Sequence, residues 1–87
     1  MLNKYRTEIN KIDKSILDIL EQRIQVSKKI GLLKKERDLK IYDSERETIL
    51  INDLINLGLK KDLDKDYIKD IFKIILDESK RIQKIDY

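Results

Sequence analysis

The sequence predicts an all-α chain of three helices with a long first helix, and three observations carry that expectation. Apolar residues recur three and four apart over most of the chain, the interval that stacks side chains on one face of an α-helix. Proline is absent and glycine occurs only twice in 87 residues, so little interrupts a helical run. Charged residues make up 43% and hydrophobic residues 40%, the balance of amphipathic helices rather than of a disordered tail.

The first helix is expected from about Leu2 to about Glu36. Leu2, Tyr5, Ile9, Ile12, Ile16, Ile19, Val26, Ile30 and Leu33 form a heptad seam, and Arg23 occupies the place between Ile19 and Val26. Residues 37–42 serve as the connection. The second helix begins at Asp43 or Ser44, where Ser44 and Glu47 have capping-box spacing, and it stops at Gly58 after Ile51, Leu54, Ile55 and Leu57. A short loop over 59–63 leads to Asp64 as the next N-cap, and the third helix carries Ile68, Ile71, Phe72, Ile75, Leu76 and Ile82 inward. No repeat or low-complexity segment divides the chain, so residues 1–87 are expected to form one domain.

Helix length points to a dimer. A helix of about 35 residues is roughly 50 Å long, whereas a compact chain of this size has a radius of gyration of only about 12 Å. The first helix must overhang such a body. Its seam stays apolar to both ends, so the overhang needs cover from a second copy, most simply through a two-fold axis. The alternative is a hinge at Gly31 that folds the helix back, which is disfavoured because one glycine costs a helix only about 1 kcal/mol.

Composition narrows the chemistry. Without cysteine there are no disulfides or thiolate metal sites, and without histidine the commonest zinc ligand and the commonest general base are missing. No metal and no cofactor is expected. Net charge is +3 with both signs interspersed, a weak basis for nucleic-acid binding, which favours a basic stripe or block. The N-terminal residues lead into no long apolar run, so neither signal peptide nor membrane span is expected, and a cytoplasmic location follows by default.

Polar residues on the inner faces are the strongest pointer to function. Arg23 and Lys34 fall on or beside the seam of the first helix, and Ser79 and Gln83 on the inner stripe of the last. Buried cations and amides are costly unless paired, and a bound anion is the simplest partner. At about 100° per residue, Arg23 and Lys34 lie within roughly 20° of each other and about 16 Å apart along the axis, so both can converge on one small anion. Arg6 points roughly 100° away from Arg23 and cannot easily serve that pocket within its own chain, although in a two-fold dimer it can serve the other copy's. Fifteen of the twenty basic residues are Lys. The five Arg retained therefore suit planar, bidentate recognition of carboxylates.

Tyr5-Arg6-x-x-Ile9-x-x-Ile12-Asp13, Leu20-x-x-Arg23, Ile30-Gly31-x-x-Lys34, Asp43-x-x-Arg46-Glu47 and Ser79-x-x-x-Gln83 together resemble the pattern of the all-helical chorismate mutases, in order and at similar spacing, from about residue 2 to 84. The resemblance implies an intertwined helical-bundle homodimer with two equivalent sites that convert chorismate to prephenate in phenylalanine and tyrosine biosynthesis. It implies that Arg23 and the other copy's Arg6 hold the substrate's two carboxylates, with Ser79 and Arg46 supporting them. Glu47 takes the substrate hydroxyl, assisted by the backbone near Asp43, while Lys34 and Gln83 donate to the ether oxygen. Ile30 and Leu76 form apolar walls. Lys34, Gln83 and Arg23 are on this basis the catalytic residues. One departure is the connection Lys40-Ile41-Tyr42, where family members often carry Pro; a looser loop and weaker substrate affinity are expected from it.

Each residue also has a plainer use. Arg23 can set register in a coiled-coil seam, Lys34 can snorkel to solvent, and Glu47 can be half of a capping box. Asp43 can be an N-cap only, Arg46 a surface residue, and Ser79 with Gln83 a hydrogen-bonded pair. A sister pericyclic reaction, lysis of isochorismate to salicylate and pyruvate, uses similar residues, though Glu47 favours the mutase. A basic helical dimerisation or nucleic-acid module is the non-enzymatic alternative.

Overall fold

The computed structural model describes residues 1–85. It contains three helices, α1 Leu2–Glu36, α2 Ser44–Leu59 and α3 Lys65–Lys84, close to the boundaries expected from periodicity. α3 packs against both α1 and α2, whereas α1 and α2 have no packing with each other among the described residues. No helix is long and apolar enough to cross a membrane.

The helix ends follow from local chemistry. Asp43 caps α2 by accepting from the Arg46 backbone N–H, and Asp64 caps α3 by accepting from that of Tyr67. Glu45 and Glu47 in the first turn of α2, and Arg81 and Lys84 in the last turn of α3, complement the helix dipoles. The capping box expected from Ser44 and Glu47 does not form. Asp43 takes the cap, and the Glu47 carboxylate is drawn to Lys80 on α3 instead.

Gly58 does not stop α2 either. It lies inside the helix with ordinary right-handed geometry, and α2 continues to Leu59. A Cβ there would sit 2.1 Å from Ile68 Cδ1, so this glycine makes room for α3. The left-handed backbone after α1 and α2 is taken by Asp38 (φ 53°) and Asp62 (φ 60°), a residue type that tolerates that conformation.

The apolar core is small: Ile55, Ile68, Leu76 and Ile82 are buried. Ile71, expected inward, is at the exposed boundary, and Leu57 is open to solvent. α1 differs most from expectation. Its heptad seam is exposed from Leu2 to Leu33, and within the chain α1 meets α3 along a different stripe, in which Ser27 and Gly31 are buried and Leu20, Arg23, Ile24 and Lys34 half-buried. Every residue from Met1 to Ile19 is exposed. The molecule measures 55 × 28 × 15 Å with a radius of gyration of 16.0 Å, well above the roughly 12 Å of a compact chain this long.

At Gly31, α1 lies directly against the backbone of α3, and the helix runs through it without a hinge. A Cβ there would lie 2.8 Å from Gln83 Cα and 3.0 Å from Gln83 O, backbone atoms that cannot swing aside. Gly31→Ala should therefore lower stability by about 1–2 kcal/mol, because overpacking against backbone, about 2–3 kcal/mol at the upper end of its usual range, outweighs the gain of about 1 kcal/mol in helix propensity. Thermal unfolding followed by circular dichroism checks this: a midpoint equal to or above wild type would mean that the helices do not approach so closely.

Candidate active site

The three helices and the α1–α2 connection enclose a cavity of about 740 Å³. Seven of the eight residues expected at the site line it: Arg23 and Lys34 from α1, Asp43, Arg46 and Glu47 from the start of α2, and Ser79 and Gln83 from α3. Ile30 and Leu76 line it as well. The eighth, Arg6, does not. It is exposed on the free end of α1, 17 residues before Arg23, about 25 Å along the axis.

Arg23 sets the electrostatics. It is half-buried, and burial pushes its pKa below the ordinary arginine value, though a guanidinium remains charged. No carboxylate pairs with it among the described residues. A cation without a counter-charge at the wall of a cavity attracts an anionic guest. Lys34 does not snorkel away: its Nζ donates to the Ile41 carbonyl at 3.0 Å, which turns the ammonium toward the connection and the cavity mouth.

The acidic side is already engaged. Lys80 Nζ lies 3.1 Å from Glu47 Oε1 and 3.4 Å from Asp77, and the hydrogen bond with Glu47 is the main reason its pKa is raised. The same ammonium sits 4.6 Å from the Tyr42 ring centroid, within cation–π range. Lys80 thus joins α3 to both α2 and the connection. Together with the bond from Lys34 to Ile41, it ties down the segment that lacks proline. Sequence reasoning missed Lys80, because one lysine among fifteen carries no signal.

The polar floor of the cavity lies on α3. Ser79 and Gln83 are buried, as is Ser27 on α1. Ser27 Oγ and Ser79 Oγ are 2.7 Å apart, and Gln83 Nε2 lies 3.3 Å from Ser79 Oγ, so the plain expectation of a Ser79–Gln83 pair is met. It leaves one atom over: Gln83 Oε1 is buried without a hydrogen-bond partner among the described residues. Ser27 also escaped sequence reading, although its position one turn from both Arg23 and Gly31 was the available clue. Among the described residues no cluster of three or more acidic side chains is placed to hold a metal.

Comparison with known proteins agrees with this architecture. Residues 5–84 match the family described as chorismate mutase type II. A bifunctional chorismate mutase/prephenate dehydratase of Buchnera aphidicola from Schizaphis graminum is 41% identical over 83 residues, covering 95% of this chain and 22% of that protein. A chorismate mutase of Methanocaldococcus jannaschii is 28% identical, covering 95% of this chain and 84% of that one. A solved structure of a conserved hypothetical protein from Pyrococcus furiosus superposes with a TM-score of 0.74 at 32% identity, covering 95% of both chains. The chain spans about a fifth of the length of the bifunctional relatives. With a family match over nearly its whole length, the chain belongs to the chorismate mutase type II family.

Proposed function

We propose that this chain is a single chorismate mutase domain, acting as a homodimer in the cytoplasm and converting chorismate to prephenate. The carrying observation is Arg23, which pairs with no carboxylate among the described residues and shares one cavity with Lys34 and Gln83. In the reaction a carbon–oxygen bond breaks while a carbon–carbon bond forms within one molecule, so no nucleophile, metal or proton shuttle is required. What is required is a folded substrate conformer and stabilisation of negative charge growing on the ether oxygen.

Arg23 holds one substrate carboxylate, with Arg46 supporting it and Ser79 reaching it through a water from which the Ser79 oxygen accepts, and Arg6 of a second copy holds the other. Glu47, kept in place by Lys80, accepts from the ring hydroxyl beside the capped start of α2 at Asp43. Lys34 and Gln83 donate to the ether oxygen. A fixed donor aimed at developing charge is worth about 3–4 kcal/mol, and two of them approach the roughly 8 kcal/mol that a millionfold acceleration needs. The dimer rests on the exposed seam of α1 and on the distance of Arg6 from its own cavity. A second copy laid along that seam covers the apolar side chains and completes the carboxylate site.

Assay of the purified protein with chorismate and with isochorismate tests the reaction: prephenate is expected, and salicylate formed in its place would assign the sister lyase. Gln83→Ala should lower kcat by well over tenfold, and a loss under about threefold, less than 1 kcal/mol, would remove Gln83 from its role. Gln83→Glu should recover activity as pH falls from about 8 to about 5, because a carboxyl donates only when protonated, whereas wild type should show no such dependence from this position.

Complementation tests the dimer. Arg6→Ala and Arg23→Ala should each be nearly inactive, but an equal mixture, unfolded and refolded together, should regain about a quarter of wild-type activity, because half of the dimers then hold one intact site of two. Absence of recovery, or a monomer in sedimentation, would refute the shared site.

A further inference from the structure

Between α1 and α3 runs a buried line of three polar side chains whose first member, Ser27, has no part in the reaction as described. Ser27 is only 3% exposed, its Oγ is 2.7 Å from Ser79 Oγ, and Ser79 Oγ is 3.3 Å from the Gln83 amide. The other end of that amide is buried and has no hydrogen-bond partner among the described residues. The two ends interchange by a half-turn about the terminal bond with almost no change of shape. Which end is left for a guest depends on which way the hydroxyl protons point.

A hydroxyl has one proton to give. If Ser79 gives its proton to Ser27, Ser79 can only accept from the amide nitrogen, and the amide oxygen is left over. If Ser27 gives its proton to Ser79, the Ser79 proton is free for the amide oxygen, and the nitrogen is left over. Arg23 and Lys34 line the same cavity, and their field draws the oxygen end toward them. That end repels the negative charge that the reaction develops. Something on the far side has to oppose the field, and Ser27 is the group in contact with Ser79 there.

We propose that Ser27 is a positioning residue: its hydroxyl donates to Ser79, Ser79 donates to the Gln83 oxygen, and Gln83 is thereby held with its amide hydrogens toward the reacting ether oxygen. This rests on the mutase reading of the cavity. Ser27 touches no substrate and acts only through Gln83.

A double-mutant cycle on the intact protein tests it, with steady-state kinetics of Ser27→Ala, Gln83→Ala and the double variant. Ser27→Ala should lower kcat about fivefold and leave KM within about twofold, the effect of losing one hydrogen bond's bias on a transition-state donor. In the Gln83→Ala background the same change should have no further effect on kcat. Ser27→Thr, which keeps the hydroxyl, should stay near wild type. An equal fractional loss in both backgrounds, or a threonine variant as impaired as the alanine one, would make Ser27 a packing residue and overturn the relay. Unchanged kcat in Ser27→Ala would do the same. A wild-type protein that forms no prephenate overturns the mutase reading itself, whereas an active wild type with an additive cycle overturns the relay alone.

Discussion

Helices α1 and α3 meet where neither carries bulk. Gly31 lies against the Gln83 backbone, and one turn earlier Ser27 meets Ser79 through their hydroxyls. A Cβ at Gly31 would collide with the Gln83 backbone, so larger residues on that stripe would push the helices apart. The short approach brings Arg23 and Lys34 on one helix and Ser79 and Gln83 on the other to the same cavity. Site geometry is thus a consequence of two small residues on α1 rather than of the apolar core, which is confined to Ile55, Ile68, Leu76 and Ile82.

Charge is divided along the cavity in a way that leaves work for a guest. At one side, Lys80 neutralises Glu47 and stacks on Tyr42, closing α2, α3 and the connection upon one another. At the other, Arg23 is half-buried, and no carboxylate pairs with it among the described residues. Removing a cation from water is unfavourable unless an anion takes its place. A dicarboxylate is the kind of molecule that relieves the imbalance, and its binding energy can then be applied to conformer selection.

α1 poses the complementary problem on a larger scale. From Leu2 to Leu33 its apolar seam lies open, and α3 covers only the stripe through Ser27 and Gly31. A lone chain of this size has too little surface elsewhere to wrap such a helix. The proposed second copy answers this and the isolation of Arg6 together, so that catalysis and folding share one interface.

Helix positions were legible in the residues, because the three-and-four spacing and the aspartates before α2 and α3 are local signals that each act within a few residues. Four of the residues proposed for the site, Arg23, Lys34, Ser79 and Gln83, stand on inner faces where a helical core calls for apolar residues, whereas Asp43, Arg46 and Glu47 came only from the family resemblance; all seven line one cavity. Partner choice was not legible. Glu47 had the spacing of a capping box yet pairs with Lys80, Gly58 had the look of a helix stop yet makes room for Ile68, and Ser27 gave no sign of meeting Ser79, 52 positions away. Periodicity tells which side of a helix is apolar, but which stripe of it meets another helix is decided by how closely the two backbones can approach, and that distance exists only once the chain has folded.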